Sequence, residues 1–250
     1  MKALILGAGY ATRLYPLTAT RPKPLLPVAN RPMLDWIVDR LASVQGIDGA
    51  YLVTNDRFFN HYAAWLRQAR TPWPVDLVND GSKTEQDKLG AVGDLHWVIQ
   101  RKEIRDDLLV IAGDNLLDMD LDAFARDFTR RRAAVVALKD MRGSPLISRY
   151  SVVTLDRDGR ILEFEEKPAF PKSSLIAICL YVFPGGELPL VERYLSEGNN
   201  GDAPGYYLQW LHKVTRVYGY AFRDVWFDIG DIDSYNEANR VYAGRVASKR

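Results

Sequence analysis

Arg13 and Lys23 stand ten residues apart, directly behind a glycine-rich turn, Gly7-Ala8-Gly9-Tyr10-Ala11-Thr12. Gly7 and Gly9 carry no Cβ, so the backbone amides of such a turn can approach phosphate oxygens closely. Two fixed cations beside it have a target in the charge of a polyphosphate under attack. The Gly-x-Gly is not the dinucleotide fingerprint, because Thr12 stands where the third glycine belongs. It is not a P-loop either, since no Gly-Lys-Ser/Thr follows.

Carboxylates are the next group that could do chemistry. Asp114, in Gly113-Asp114-Asn115, follows an apolar strand and would stand at the C-terminal edge of a sheet, beside the phosphate turn. One or two such carboxylates, completed by phosphate oxygens and water, suit Mg²⁺; a helix cap or turn aspartate is the plain alternative. Asp228, in Trp226-Phe227-Asp228-Ile229-Gly230-Asp231, ends a short apolar segment and is the second candidate; Asp231 or Asp233 then caps the helix that starts near Ile232. Glu165-Glu166-Lys167-Pro168 reads on its own as a solvated charge run before a proline turn. Asn199, Asn200, Asp202 and Gly205 are ordinary loop residues by type. His61, His96 and His212 fall in helical segments without a spaced partner, and no Ser-His or Cys-His pair is evident. That agrees with direct phosphoryl chemistry, which needs no enzyme nucleophile.

Elements that would position these groups alternate along the first half. Ala3–Leu6, Ala50–Thr54, Val75–Val78 and Leu108–Ala112 read as strands; Pro32–Val44, Phe58–Ala69, Gly90–Gln100 and Leu121–Arg132 have helical spacing. Continuous apolar strands in β-α alternation predict a mostly parallel sheet covered on both faces, with ligands at the strand ends. In the second half, Ser151–Leu155 and Arg160–Phe164 flank Asp-Gly hairpin chemistry at Asp158-Gly159. Ala134–Leu138, Ile176–Phe183 and Arg216–Phe222 add strands; Glu187–Leu195, Tyr206–Val214 and Ile232–Val246 add helices. The expected whole is α/β, a mixed sheet sandwiched by helices with a small β-rich lobe, in one domain over 1–250. The basic tail Arg245–Arg250 reads as surface.

Composition narrows the partners. At 250 residues the chain can bury a large core, and a formal net charge of +1 gives no bulk attraction to nucleic acid or an anionic membrane. The one cysteine, Cys179, precludes an intramolecular disulfide and lies in an apolar run, where a small buried hydrophobe is expected. With no stretch of transmembrane length and no signal peptide, a cytoplasmic protein is the expectation.

Leu6 to Thr18, then Pro22-Lys23-Pro24-Leu25-Leu26-Pro27-Val28 and Asn30-Arg31-Pro32-Met33-Leu34, resemble the signature of sugar-1-phosphate nucleotidylyltransferases (EC 2.7.7 class), and further motifs extend the similarity to about residue 240. The resemblance implies a Rossmann-like, GT-A-like fold, with a nucleotide-binding half at about 1–133 and a sugar- and metal-binding half at about 134–250. It implies an NTP and a sugar 1-phosphate as substrates, an NDP-sugar and pyrophosphate as products, Mg²⁺ as cofactor, and homo-oligomers among relatives. Carried onto matching positions, Leu6, Gly7, Ala8, Gly9, Thr12, Arg13 and Gly90 bind nucleotide; Arg13 and Lys23 are catalytic; Asp114 and Asp228 hold the metal. Asn115, Glu166, Lys167, Asp202 and Gly205 bind the sugar phosphate. The chain departs from the family pattern at Ala11 and Cys179, where relatives carry glycine, and in Asp80–Asp87 before Leu89-Gly90-Ala91, which leaves the base open. Competing readings are a cytidylyltransferase acting on phosphocholine, an inactive nucleotide-sugar-binding subunit, and a GT-A glycosyltransferase using Asp118-Met119-Asp120. The Glu166-Lys167 motif disfavours the first, and the retained Arg13, Lys23 and carboxylates disfavour the second. The third is disfavoured because the triplet lies past the strand end and suits a helix start.

Overall fold

The first strand, β1 (Lys2–Leu6), is apolar on both faces: Ala3 and Ile5 join one core cluster and Leu4 joins another. Such a strand needs helices on either side. The computed structural model describes residues 1–248, so Lys249 and Arg250 of the basic tail lie outside the described residues. After β1 come β2 (Pro27–Val28), β3 (Arg31–Pro32), α1 (Met33–Leu41), β4 (Gly49–Thr54), α2 (Phe59–Leu66), β5 (Val75–Asn79) and α3 (Ala91–Arg101). Then follow β6 (Leu108–Ala112), β7 (Asn115–Leu117), α4 (Leu121–Arg131), β8 (Ala134–Asp140), β9 (Ser151–Leu155) and β10 (Ile161–Glu165). The chain continues through β11 (Leu175–Phe183), α5 (Pro189–Ser196), α6 (Pro204–Val214), β12 (Val217–Phe222), β13 (Trp226–Asp228) and α7 (Ile232–Ser248).

A nine-stranded sheet has the order β10-β9-β11-β6-β1-β4-β5, with β8 and β12 joined through β11. β6, β1, β4 and β5 run parallel, and β11 enters antiparallel to β6. The frame is therefore the expected Rossmann-like mixed sheet between helices. The β-rich second half extends the same sheet, because β11 pairs with β6 on one side and with β8 and β9 on the other. Helices α1, α2 and α4 cover one face; α3, α5 and α6 cover the other. In α1 the buried residues are Met33, Leu34, Ile37, Val38 and Leu41, the stripe that the spacing predicts. Asp120 caps α4, its side chain accepting from the Ala123 amide at 2.9 Å, which gives the Asp118–Asp120 triplet a structural role. No helix among the described residues is long and apolar enough to cross a membrane.

Strand register decides where chemistry can happen. Leu6 pairs with Ala112 and with Val53, so the turns at Gly7 and Gly113 leave neighbouring parallel strands at one level. Leu180 lies opposite Ile111, which brings Cys179 to the same level. Cys179 is only partly exposed to solvent rather than fully buried, a correction to the small buried hydrophobe expected there. Leu175, Ala177 and Cys179 share one side of β11 that packs incompletely, while Ile176 and Ile178 on the other side are buried.

A third apolar cluster sits beyond these strand ends. Leu14, Leu26, Val28, Met33, Leu116, Ile229, Ala238 and Tyr242 are buried together, joining the turn after the glycines, the β2–β3 hairpin, β7, the end of β13 and α7. Each leucine or isoleucine so buried stabilises the assembly by about 1.5–3 kcal/mol. Tyr235 donates its hydroxyl to the Pro27 carbonyl at 2.6 Å, and Asn239 accepts from the Ala29 amide at 3.1 Å. α7 is thereby tied to the hairpin that follows Lys23.

Candidate active site

The glycine turn is held by its carbonyls. Tyr62 donates to the Gly7 carbonyl at 2.9 Å, Asn55 to that of Ala8 at 2.7 Å, and Thr18 to that of Ala11 at 2.8 Å. Gly7 itself donates to Val53 at 2.9 Å, continuing the ladder of β4. Ala8 is buried, while Gly9, Thr12 and Arg13 are exposed at the rim. Ala11 takes φ of 50°, left-handed backbone that costs a residue with Cβ about 1–2 kcal/mol and explains why glycine suits this position. A single 3-10 turn, Thr12–Leu14, then plants Leu14 in the third cluster and leaves Arg13 outward.

Lys23 opens a second 3-10 turn, Lys23–Leu25, whose following residue Leu26 is buried in the same cluster. Its ammonium forms an ion pair with Asp114 and donates to the Ile229 carbonyl at 2.8 Å. Asp114 leaves β6 and enters β7, which pairs antiparallel with β13 so that Asp228 lies opposite Asn115. The Ile229 amide donates to the Asp114 carbonyl at 3.3 Å. Asp114 and Asp228, far apart in the chain, thus become neighbours. Burial, then the Asp114 charge, pushes the Asp228 carboxyl up to about 6, while Lys23 and Arg13 pull it down. Lys23, Asp114 and Asp228 thus lie together, with Arg13 near enough for its charge to act on Asp228.

Asn115 is placed differently from its expected task. It is 3% exposed, and its amide oxygen accepts from the Trp226 indole at 2.6 Å. That bond ties β7 to β13; it positions the carboxylates rather than offering the side chain to a ligand.

Glu166 follows β10 with its side chain 5% exposed, accepting from the Ser151 hydroxyl, while its backbone amide donates to Gln209 at 3.0 Å. A Cβ on Gly205 would come within 1.9 Å of the Glu166 carboxylate, so only glycine admits this contact. Lys167 is exposed, stands at φ 47° and lies 3.4 Å from Glu166. Strained backbone of this kind persists where surrounding contacts fix it, often at ligand sites. Glu165 is exposed, as expected. On β11, burial, then Cys179 and Glu166, raise the Tyr181 hydroxyl well above its ordinary value, while the Asp114 and Asp228 charges act on the Cys179 thiol. Burial pushes the Cys179 thiol up to about 12, so it is inert at neutral pH. β11 therefore runs from the Glu166 region to the carboxylate pair.

The loop around Asp202 is nearer to Gly90 than its expected sugar role suggests. The carbonyls of Gly201 and Asp202 accept from the amides of Val92 and Ala91 at 2.9 Å and 3.2 Å, closing the start of α3. Gly90 has φ of 79°, and a Cβ there would meet the Asp202 backbone at 2.5 Å. Asp202 itself is exposed and paired with Lys88 at 3.2 Å. The segment from Asp202 to Gly205 consequently links the Gly90 loop to the Glu166 pocket.

Among nearby residues, Tyr150, Arg149 and Ser151 carry no signal in the sequence, whereas Asp231 takes the cap position expected of it or of Asp233. Burial first, then the Asp228 charge, raises the Tyr150 hydroxyl to about 12, and its ring packs on Trp226 at 5.5 Å. Asp231 is held below the usual carboxylate range by the Ser234 amide and hydroxyl, with smaller help from Arg149 and Arg13. It caps α7 through the Ser234 amide at 2.8 Å. Tyr150, Arg149 and Ser151 precede or begin β9, where only the fold brings them to the site.

Comparison with known proteins adds to this geometry. The profile of the Nucleotidyl transferase family matches residues 2–245. The chain is 29% identical to the bifunctional protein GlmU of Methanocaldococcus jannaschii over 98% of its own length and 55% of that protein's. It is 28% identical to UTP–glucose-1-phosphate uridylyltransferase of Synechocystis, over 98% of the chain and 64% of the relative. The chain thus spans roughly half to two thirds of these relatives. Its fold matches that of a UDP-glucose pyrophosphorylase solved with UDP-glucose, at a TM-score of 0.81 and 22% identity, covering 98% of both chains.

Proposed function

The chain belongs to the Nucleotidyl transferase family, and on that premise we propose that it transfers a nucleotidyl group from an NTP to a sugar 1-phosphate, giving NDP-sugar and pyrophosphate. One observation carries the reading. Arg13, Lys23, Asp114 and Asp228 come from four separate segments, and each segment is anchored through a buried residue of one apolar cluster: Leu14, Leu26, Leu116 and Ile229. A separate apolar core that anchors two cations and two carboxylates supports reading this as a site for polyanions and a metal.

A sugar-phosphate oxygen would attack the α-phosphorus in line; the bond to the β-phosphate oxygen would break and pyrophosphate would leave. Arg13 would hold the departing phosphates from the exposed rim. Lys23 would neutralise charge growing at the α-phosphorus, held there by Asp114 and the Ile229 carbonyl. Ala8, Gly9 and Thr12 would offer backbone amides to the phosphates; the Gly7 amide is engaged by the Val53 carbonyl, so Leu6 and Gly7 would shape the turn beneath them. Glu166 would accept sugar hydroxyls, Lys167 would hold the nucleophilic phosphate, and Gly90 would meet the base. Asp202 and Gly205 would shape the passage between base and sugar. Chemistry of this kind rests on positioning and charge, not on a covalent intermediate.

The two carboxylates fit a magnesium ion. They are hard oxygen donors, close enough for one to raise the other's proton affinity, and a single ammonium balances only one of them. When bound to Asp114 and Asp228, Mg²⁺ supplies charge neutralisation and alignment of the two reacting phosphates. The same reading treats residues to about 133 as the nucleotide half and the rest as the sugar and metal half of one cytoplasmic enzyme domain.

Pyrophosphate release, screened over five NTPs crossed with sugar 1-phosphates and with phosphocholine, tests the proposal. Release with at least one sugar 1-phosphate is expected. Release with phosphocholine alone, or none with any pair, overturns it.

A further inference from the structure

Asp80 and Asp94 are buried carboxylates that the reaction does not use, only 7% and 6% exposed. Asp80 follows β5, its amide donating to the Thr54 carbonyl at 2.8 Å. Its Oδ1 accepts from the Ser82 amide at 2.7 Å and the Ser82 hydroxyl at 2.8 Å. Asp94 lies in the first turn of α3, its amide donating to the Gly90 carbonyl at 2.7 Å. Asp80 Oδ2 and Asp94 Oδ1 are both buried without a hydrogen-bond donor, and each carboxyl acts on the proton affinity of the other. Two ionised carboxylates are acceptors only, so a proton on one of them is what would let these two orphaned oxygens satisfy each other.

Their surroundings favour keeping it. Asp87 and Asp202 add negative charge, Lys88 is paired with Asp202, and Tyr10 approaches Ser82 at 3.5 Å with Arg57 behind it. Burial, then the Asp80 charge, raises the Asp94 carboxyl to about 8. The pair spans the two ends of one loop: Asp80 begins the segment 80–90, and Asp94 stands one helical turn beyond its end at Gly90.

We propose that Asp80 and Asp94 share a single proton, and that this acid pair is the clasp fixing segment 80–90 so that Gly90 can meet the nucleobase. They are positioning residues for nucleotide binding, an assignment that rests on the nucleotide-site reading above. Loss of the proton sets two buried like charges against each other, beside Asp87 and Asp202, and releases the loop. Asp94→Asn keeps a donor facing Asp80 at every pH; Asp94→Leu abolishes the bond.

The test is steady-state turnover from pH 7 to 9 with the NTP varied, alongside ¹³C NMR of the aspartate carboxyls. In the unaltered protein the KM for NTP is expected to rise about tenfold over this range, the scale of one buried hydrogen bond to a charged partner, with kcat and the sugar-phosphate KM unchanged. Asp94→Asn should hold the low KM throughout, and Asp94→Leu the high one. An Asp94→Asn profile that follows the unaltered protein, or an unchanged NTP KM in Asp94→Leu, overturns the clasp. The NMR arm is independent of turnover. A carboxyl resonance titrating near 8 and missing from Asp94→Asn is expected, and its absence overturns the shared proton. If that resonance is present while no NTP releases pyrophosphate, the shared proton stands and the nucleotide reading falls.

Discussion

Lys23→Met removes an ammonium and keeps most of the stem that packs beside it. The ammonium has two partners, the Asp114 carboxylate and the Ile229 carbonyl, and its side chain is 17% exposed. Losing one preorganised cation at a reacting phosphate typically costs about 3–4 kcal/mol, a hundred- to thousandfold in kcat. A second effect follows from the carboxylates. Lys23 is the first of the charges that lower the Asp228 proton affinity, so its removal moves Asp228 further above its present value of about 6. The sign is fixed: the native carboxyl already binds its proton more tightly than an unfolded one, and the variant widens that window upward. If ionised Asp228 is needed to hold the metal, the acid limb of the pH–rate profile must shift toward alkaline pH. The assay is pyrophosphate release at saturating Mg²⁺ and substrates from pH 5 to 9. A kcat within threefold of the unaltered protein, together with an unmoved acid limb, refutes the argument, because the ammonium would then be neither a catalytic cation nor the counter-charge of Asp228.

Arg13→Ala, at an exposed rim position, should lower kcat by about a hundred- to thousandfold while melting temperature stays within a degree or two. Normal turnover would remove it from the leaving-group role. Asp114→Asn should weaken the magnesium dependence and, by withdrawing the charge that raises Asp228, move the acid limb toward lower pH; an unchanged magnesium titration counts against a metal ligand at 114. Gly90→Ala forces a Cβ to 2.5 Å from the Asp202 backbone at a φ of 79°, so NTP affinity should fall tenfold or more with the sugar-phosphate KM little changed. Calorimetric titration with NTP checks this, and wild-type affinity would show that the loop at 201–202 moves aside freely.

Much of this site is legible before any coordinates. Continuous apolar strands end at Leu6 and Ala112, and in a parallel sheet such ends fall on one edge, so Gly7, Arg13 and Asp114 must lie together. Other parts depend on contacts that leave no local pattern. β7 and β13 are three residues each, too short for alternation to register. Asn115 has the composition of a ligand contact, yet pairing with β13 delivers the Trp226 indole to it. Cys179 lies in an unbroken apolar run, and only the sheet shows that one side of that run faces the site. Asp80 falls in the segment before Gly90 and Asp94 in the helix after it, and type and spacing cannot report that both are buried.

The same limits explain why Lys23 and Asp228 depend on one another. Asp228 is drawn to the site by a three-residue antiparallel ladder, which is weak alone, and by Ile229 in the cluster with Leu14 and Leu26. The ladder brings two carboxylates together, which opposes its own formation. Lys23 offsets that repulsion twice: its ammonium balances Asp114, and its bond to the Ile229 carbonyl pins the residue next to Asp228. The cation proposed for catalysis is therefore also a structural tie between the two carboxylate-bearing segments. A lysine in that position balances one of the two carboxylates and leaves one negative charge, which under the proposed mechanism a divalent ion would neutralise.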